Sequence, residues 1–377
     1  MAGIYIHIPF CKQKCHYCNF YSTVSLAYRQ DYISALTREI KSRQKYLDHE
    51  VVNTIYFGGG TPSMFSSDEI SYIINLIDFR FNVASDAEIT LEANPDDLDK
   101  NKLNDIKNYT SVNRLSIGVQ SFFDDDLQYL NRVHSSKQAQ NSIENALKLG
   151  FDNITIDLIY GIPNLSNSKW KENLKIFFDY KIPHLSSYSL TVEPKTALDL
   201  LIKKKKLENI VESESIDHFK ILIEETEKQN FINYEISNFA LEGHYSKHNS
   251  IYWLGGHYLG LGPSAHSYNG KSRQWNVMNI KKYCEEKQIK NIIDEKEYLS
   301  KDQMYNEYVL TSLRTSWGCD IEHIKNAFGE KHSQHFITNI TKTIKENNAT
   351  RNGNIFTLTN SGKLFADGIA SSLFFGL

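Results

Sequence analysis

Cysteine is scarce in this sequence, with five residues in 377. That scarcity excludes the disulfide framework of a small secreted protein, which needs a dense, paired set. A long apolar run is also missing. No window approaches the ~18 apolar residues of a membrane-spanning helix, so no transmembrane segment is expected, and only transient association with a membrane surface stays open. No basic stretch followed by an apolar one marks an export signal at the N-terminus, and reduced cysteines without such a signal point to the cytoplasm. Charge of one sign is lacking too: 42 Lys and Arg face 45 Asp and Glu, a net charge of −3. This removes any global electrostatic case for nucleic acid or an anionic membrane. Methionine is rare, with four residues against 22 Tyr and 20 Phe, which fits a packed, aromatic-rich core. The 41% hydrophobic and 23% charged fractions are those of an ordinary soluble globular chain.

What is present is a regular alternation. Six strand-like runs, roughly Gly3–Ile8, Val52–Phe57, Ala87–Glu92, Asn113–Val119, Asn153–Ile159 and His184–Leu190, are each bounded by Gly, Pro, Asn or Asp. Helical patterns such as Leu26–Tyr46 and Lys137–Leu149 lie between them. Alternating strands and helices imply a parallel sheet with right-handed crossovers. The fold class is therefore α/β, a partial (β/α)6 barrel of the TIM type over residues 1–230. In such folds the functional loops follow the carboxyl ends of the strands, where the unusual residues fall: Cys11 to Cys18, Gly58 to Ser63, Glu92 to Pro95, Gln120, Asp157 and Tyr188. A Gly- and aromatic-rich connecting region follows over residues 231–300, without clear period from His244 to Tyr268. Residues 301–377 read as helices plus a small hairpin, a mainly helical, winged-helix-like unit. It has no concentrated basic face, so a DNA-binding role is not favoured and a packing or lid role is.

The strongest chemical signal is the placing of Cys11, Cys15 and Cys18 directly after the first strand, as C-x3-C-x2-C. Three thiolates this close on one loop suit the corner irons of a cubane iron–sulfur cluster. A ferredoxin-type cluster takes a fourth cysteine, yet the next here is Cys284, which leaves one iron for a non-protein ligand. A structural zinc site needs four protein ligands, and locally only His7 or His16 could add to the three. The triple glycine Gly58–Gly60 lets backbone pass close to a ligand, but it lacks the Lys-Ser/Thr of a nucleotide-binding loop. Glu92, Gln120, Arg132 and Asp157 stand at or just beyond strand ends. Singly, each could cap a helix or hold a loop. Together they supply carboxylates for hydroxyl and ammonium groups and a guanidinium for a carboxylate.

With these motifs in hand, the sequence resembles the radical S-adenosylmethionine (SAM) family of oxygen-independent coproporphyrinogen III oxidases and their sister group, the haem chaperones. The resemblance spans nearly the whole chain and rests on Tyr5–Phe20, Gly58–Ser63, Leu91–Pro95, Arg114–Ser121, Asn131–His134 and Asp157–Pro163. It implies a [4Fe-4S] cluster on Cys11, Cys15 and Cys18. Tyr5, Gly59 and Glu92 match contacts to the cluster-bound SAM, and Tyr17, Gly60, Thr61, Gln120, Arg132 and Asp157 match positions around a second SAM. The oxidases extend the motif with a fourth cysteine two residues on, where this chain has Phe20. The chaperone branch has Phe there and a His-Asn-x-x-Tyr-Trp haem motif, matched by His248-Asn249-Ser250-Ile251-Tyr252-Trp253. The resemblance thus implies a chaperone that binds haem at His248 and passes it to an acceptor protein; it assigns no second axial ligand, for which His244 and His257 are the candidates. The alternative is oxidative decarboxylation of coproporphyrinogen III by a SAM-derived radical. No catalytic residue is assigned.

Overall fold

A computed structural model describes residues 1–376. Its barrel half runs β1 (Ala2–Ile8), α1 (Arg29–Ser42), β2 (Val51–Gly59), α2 (Ser67–Arg80), β3 (Asn82–Ala93), α3 (Lys100–Tyr109), β4 (Arg114–Gln120), α4 (Asp124–Tyr129), α5 (Ser136–Lys148), β5 (Ile154–Tyr160), α6 (Asn167–Asp179) and β6 (His184–Ser189). β1 to β6 pair in sequence order, all parallel. Parallel strands are covered on both faces and so read as nearly continuous apolar runs. β1 and β5 follow that rule, with six of seven residues buried in each. Helix starts obey local chemistry. Ser66 and Ser135 accept from the backbone N–H three residues on, while Glu69 and Gln138 return the bond to the cap residue.

The sheet is wider than the six expected strands. After α7 (Ala197–Lys203) and α8 (Glu212–Lys228) come β7 (Ile232–Glu235), β8 (Asn238–Ala240), α9 (Lys247–Trp253), β9 (His257–Leu261), β10 (His266–Tyr268), β11 (Ser272–Asn276), α10 (Ile280–Glu285), α11 (Ile289–Ile292) and β12 (Ile293–Tyr298). β8 and β7 extend the β6 edge antiparallel, whereas β9 pairs parallel with β1 and carries β10, β11 and β12 beyond it. The stretch read as aperiodic is thus one short helix and two short strands, α9, β9 and β10. Strands of three to five residues are too brief for a period to register. β9 also contains Gly260, where a Cβ would lie 2.0 Å from the His266 carbonyl oxygen.

One hydrophobic core runs from Ala2 to Ile292 and a second, separate one from Tyr305 to Leu373. The second belongs to α12 (Lys301–Leu313), β13 (Cys319–Asp320), α13 (Ile321–Phe328), α14 (Glu330–Lys345), the hairpin β14 (Ala349–Asn352) and β15 (Ile355–Leu358), α15 (Asn360–Lys363) and α16 (Ala366–Ser372). This unit docks on the barrel through Ile236 N–H to the Arg314 carbonyl (3.1 Å) and Ser316 N–H to the Tyr234 carbonyl (2.9 Å). Arg314 lies 5.3 Å over the Trp253 ring. Among the described residues no helix is long and apolar enough to cross a membrane.

Burial also sets the acid response. Loss of water around the rings holds His7 and His134 down to about 4 and His248 to about 3. A histidine whose folded pKa lies below its unfolded ~6.5 contributes stability that is complete above pH ~6.5 and lost as pH falls towards the folded value. His184, also lowered by burial, adds to this loss, whereas Asp157, raised to about 7, and the raised Glu92, Asp126 and Glu235 act in the opposite sense and offset part of it. Urea unfolding measured across pH should show stability falling as pH drops from ~6 to ~4.5. A flat profile there would contradict buried, neutral rings.

Candidate functional site

The carboxyl ends of the barrel strands enclose a cavity of about 430 Å³. Cys11, Cys15 and Cys18 line it together with Tyr17, Gly59, Gly60, Thr61, Glu92, Gln120, Arg132 and Asp157. With Tyr188 to Glu193 after β6, the fold thereby gathers residues from six strand ends that lie up to 182 positions apart in sequence, from Cys11 to Glu193.

The cysteine loop is tied down on two sides. Cys11 N–H donates to the Thr23 carbonyl (3.0 Å), and Thr23 N–H to that of Pro9 (2.7 Å). On the other side, His16 N–H donates to the Leu130 carbonyl (3.2 Å), Gln13 Nε2 to that of Asn131 (3.1 Å) and Asn131 Nδ2 to that of Lys14 (2.9 Å). The glycine loop closes from a third direction. Gly60 N–H reaches the Ile8 carbonyl and Thr61 N–H that of Phe10, each at 2.7 Å.

The donor set fits a cluster. Three thiols face one cavity, and Arg132 Nη1 donates to Cys15 Sγ at 3.3 Å, a contact suited to a sulfur that carries negative charge when it binds metal. Burial pushes Cys18 up to about 11 and also raises Cys11, so metal binding must displace their protons. Among the described residues no three His, Cys, Asp or Glu side chains converge on one point, as a single ion would require. A cubane asks for something else, one separate iron per thiolate.

The polar groups around the cavity are oriented by neighbours. Glu92 accepts from Tyr56 Oη (2.8 Å) and from Gly59 N–H (3.2 Å), and burial raises its pKa. Arg132 Nη2 donates to Asn94 Oδ1 (2.6 Å) and to the Gly118 carbonyl (2.8 Å). Asp157 accepts from Ser116 Oγ at 3.4 Å, and burial beside Glu92 accounts for its raised pKa. Gln120 ends β4 with φ +67°. Phe20 stands on the rim, 65% exposed. Tyr5 is the exception among the expected SAM contacts, since it does not line the cavity. Its ring packs against both Tyr56 (6.0 Å) and His248 (6.3 Å), deeper in the barrel, and its hydroxyl pairs with His7 Nδ1 at 3.2 Å.

His248 lies on α9, which closes the opposite, amino-terminal end of the barrel. The residue is 2% exposed. Nδ1 pairs with Thr54 Oγ1 at 2.7 Å and Nε2 with Tyr252 Oη at 2.9 Å. A ring nitrogen must offer its lone pair to ligate haem iron, and in this conformation neither is free. Of the two second-ligand candidates, His244 is exposed, and His257 Nδ1 pairs with Glu50 Oε1 at 2.5 Å. The motif's other ends are engaged as well: Asn249 Nδ2 donates to Tyr234 Oη (3.3 Å) and Trp253 Nε1 to Asn249 Oδ1 (3.2 Å).

Sequence reading passed over the polar floor beneath α9. Glu88 and Arg114 are buried and 3.8 Å apart, Arg114 also donates to Thr155 Oγ1, and His184 bridges Thr155 (3.0 Å) to Tyr234 (2.9 Å). The available signal was polar residues, Thr54, Glu88, Thr90 and Arg114, placed inside strands otherwise buried on both faces.

Fold and cavity together define a radical SAM protein. The Radical SAM superfamily model matches residues 5–177, and the HemN C-terminal domain model matches residues 299–365. Among solved structures, the coproporphyrinogen III oxidase HemN from Escherichia coli, a radical SAM enzyme, superposes with a TM-score of 0.85. It does so at 22% identity over 100% of this chain and 90% of that one, a likeness that shows the fold. Proteins named heme chaperone HemW are similar along their full length. The one from Bacillus subtilis is 34% identical over 97% of both chains, and that from Mycobacterium tuberculosis 30% over 98% of this chain and 94% of that one. The chain belongs to the HemW family of radical SAM proteins. Membership implies a [4Fe-4S] cluster and SAM.

Proposed function

We propose that this protein is a haem chaperone: it binds haem through His248 and passes it to an acceptor protein, with a [4Fe-4S] cluster and SAM held in the cavity at the other end of the barrel. The observation that carries the reading is Phe20, an exposed phenyl ring on the cavity rim at the position where the oxidases place a fourth cysteine. When bound, the cluster and SAM supply one-electron chemistry. Cys11, Cys15 and Cys18 would hold the cluster. Glu92 and the Gly59 backbone would bind polar groups of SAM, Arg132 would pair with a carboxylate, and Asp157 with hydroxyl or ammonium groups. Tyr17, Gly60, Thr61 and Gln120 would shape the remaining wall. Thiols that must stay reduced for this role fit the cytoplasm.

The test is a haem titration of anaerobically reconstituted protein, followed by Soret absorbance. Saturation at about one haem per chain is expected, weakened at least tenfold in His248→Ala, with a thermal melt to show that the variant is folded. Equal binding by wild type and variant sinks the assignment of His248. No saturable binding in either sinks the chaperone reading and turns attention to coproporphyrinogen turnover with SAM and a reductant.

A further inference from the structure

The haem reading and the geometry of His248 meet in one requirement. An iron ligand needs an open hemisphere at one ring nitrogen, yet this ring is enclosed. Tyr56 stacks on one face at 4.9 Å and 23°, Tyr252 meets it edge-on at 5.2 Å, and both nitrogens are hydrogen-bonded to hydroxyls. A Cβ on Gly3 would come within 3.1 Å of Nδ1, so backbone closes the remaining approach.

The groups that hold the ring are of an unusual kind for a barrel interior. Thr54 sits in β2 and Glu88 in β3, neither of them in the six-residue motif. Glu88 accepts from the first N–H groups of α9, Lys247 N (3.2 Å) and His248 N (3.1 Å), where a carboxylate complements the positive end of the helix. Beneath them the buried Thr90 hydroxyl and Arg114 Nε have no hydrogen-bond partner. A closed floor has no physical need of such groups, because an apolar plug of the same shape would avoid their desolvation cost. They suit a floor that also exists open and wetted. The chain flanking α9 turns at two glycines. Gly243 and Gly255 have φ of +82° and +68°, and a Cβ at either would meet nothing within 4 Å, so packing does not hold the chain at these two positions. On the outside, Arg314 of the C-terminal unit covers Trp253.

We infer that α9 is a latch on the barrel floor, that haem ligation by His248 requires the latch to open, and that Thr54 and Glu88 are positioning residues that set how often it does. The inference rests on the haem reading above. Binding only to the open state lowers the apparent haem affinity by the open fraction. A substitution that loosens the closed state, at a residue that never touches haem, must therefore tighten haem binding. This sign is opposite to that of a contact residue or of general destabilisation.

The experiment compares haem binding by full-length wild type, Thr54→Val, Thr54→Ser and His248→Ala, reconstituted anaerobically. Amide hydrogen exchange over residues 247–254 is followed with and without haem. Valine keeps the shape of threonine and leaves His248 Nδ1 without its partner, so Thr54→Val should bind haem about five- to tenfold more tightly. Serine restores the hydroxyl and should return the wild-type value. Haem should raise exchange across 247–254 in wild type. Unchanged or weaker binding by Thr54→Val, with residues 247–254 equally or more protected in the presence of haem, overturns the latch while leaving haem binding at His248 intact. If His248→Ala binds as wild type does, or nothing binds, the haem reading fails and the latch falls with it. Should Thr54→Val not fold, the exchange measurement on wild type decides alone: protection gained on haem binding overturns the latch, and protection lost supports it.

Discussion

Replacing Cys11, Cys15 and Cys18 together by alanine is expected to leave a folded protein that holds no stoichiometric iron or sulfide after anaerobic reconstitution. Thiolate is the ligand chemistry an iron–sulfur cluster requires, and among the five cysteines only these three line the cavity. Cys284 and Cys319 lie elsewhere, in the barrel core and in the separate C-terminal core. Neither can substitute without taking apart the element that buries it. The fold should survive, because the loop is tied by backbone bonds to Pro9, Thr23 and Leu130 rather than by its sulfurs. The expected effect is total: iron and acid-labile sulfide fall from about four of each per chain, the content of one cubane, to background, with the far-UV circular dichroism unchanged. Stoichiometric iron and sulfide in the triple variant would remove the basis for the cavity as a cluster site.

Gly60→Ala should produce the second-largest effect, and for a steric reason. A Cβ at Gly60 would lie 2.6 Å from the Phe10 carbonyl oxygen, 2.7 Å from that of Ile8 and 3.0 Å from Phe10 N. All three are backbone atoms at the start of the cysteine loop, so no side chain can rotate away. The methyl group fits only if the glycine loop and the cysteine loop part, which strains the bonds from Gly60 to Ile8 and from Thr61 to Phe10. Overpacking of this kind costs about 1–3 kcal/mol. The functional loss should be larger than the stability loss, because the shift falls between the cluster ligands and the Gly59–Glu92 pair. Cluster content after reconstitution should drop several-fold, while the melting temperature falls by only about 2–6 °C. Alanine at Gly150, where a Cβ would meet nothing within 4 Å although φ is +77°, separates the two effects: it should strain its turn and leave cluster content untouched. Full cluster content in Gly60→Ala would show that the two loops are not held at contact distance.

Much of the barrel and its cavity was legible in the sequence. Parallel strands buried on both faces make their own signal, and all six core strands lie within a few residues of their expected bounds. Asn82–Ala93 differs most, beginning five residues before the expected Ala87. The cavity residues were legible because in a parallel sheet each loop that follows a strand opens on the same rim. Position in sequence, strand then polar or glycine residue, therefore becomes position in space. The edge of the sheet was not legible. β9 joins β1 through pairing with a partner 255 positions away, Ala2 with His257, and nothing within a five-residue strand records which distant edge it will meet. Tyr5 illustrates the same limit at one residue. Its place on β1 was clear, but only the assembled neighbours set its ring against Tyr56 and His248 rather than at the cavity.

The amino-acid sequence by itself determined the α/β alternation, the three-thiol loop and the rim of polar groups. These depend on local spacing and on strand direction, and both are written in consecutive residues. Only the tertiary structure decided the state of the His248 segment. His248-Asn249-Ser250-Ile251-Tyr252-Trp253 reads as an available imidazole among aromatics. Whether that imidazole is free depends on Thr54 and Tyr56 from β2 and on Glu88 from β3. Those groups reach α9 only when the barrel strands pair. Burial and hydrogen bonding are properties of the assembled neighbours, so the accessibility of His248 could not be read from its motif.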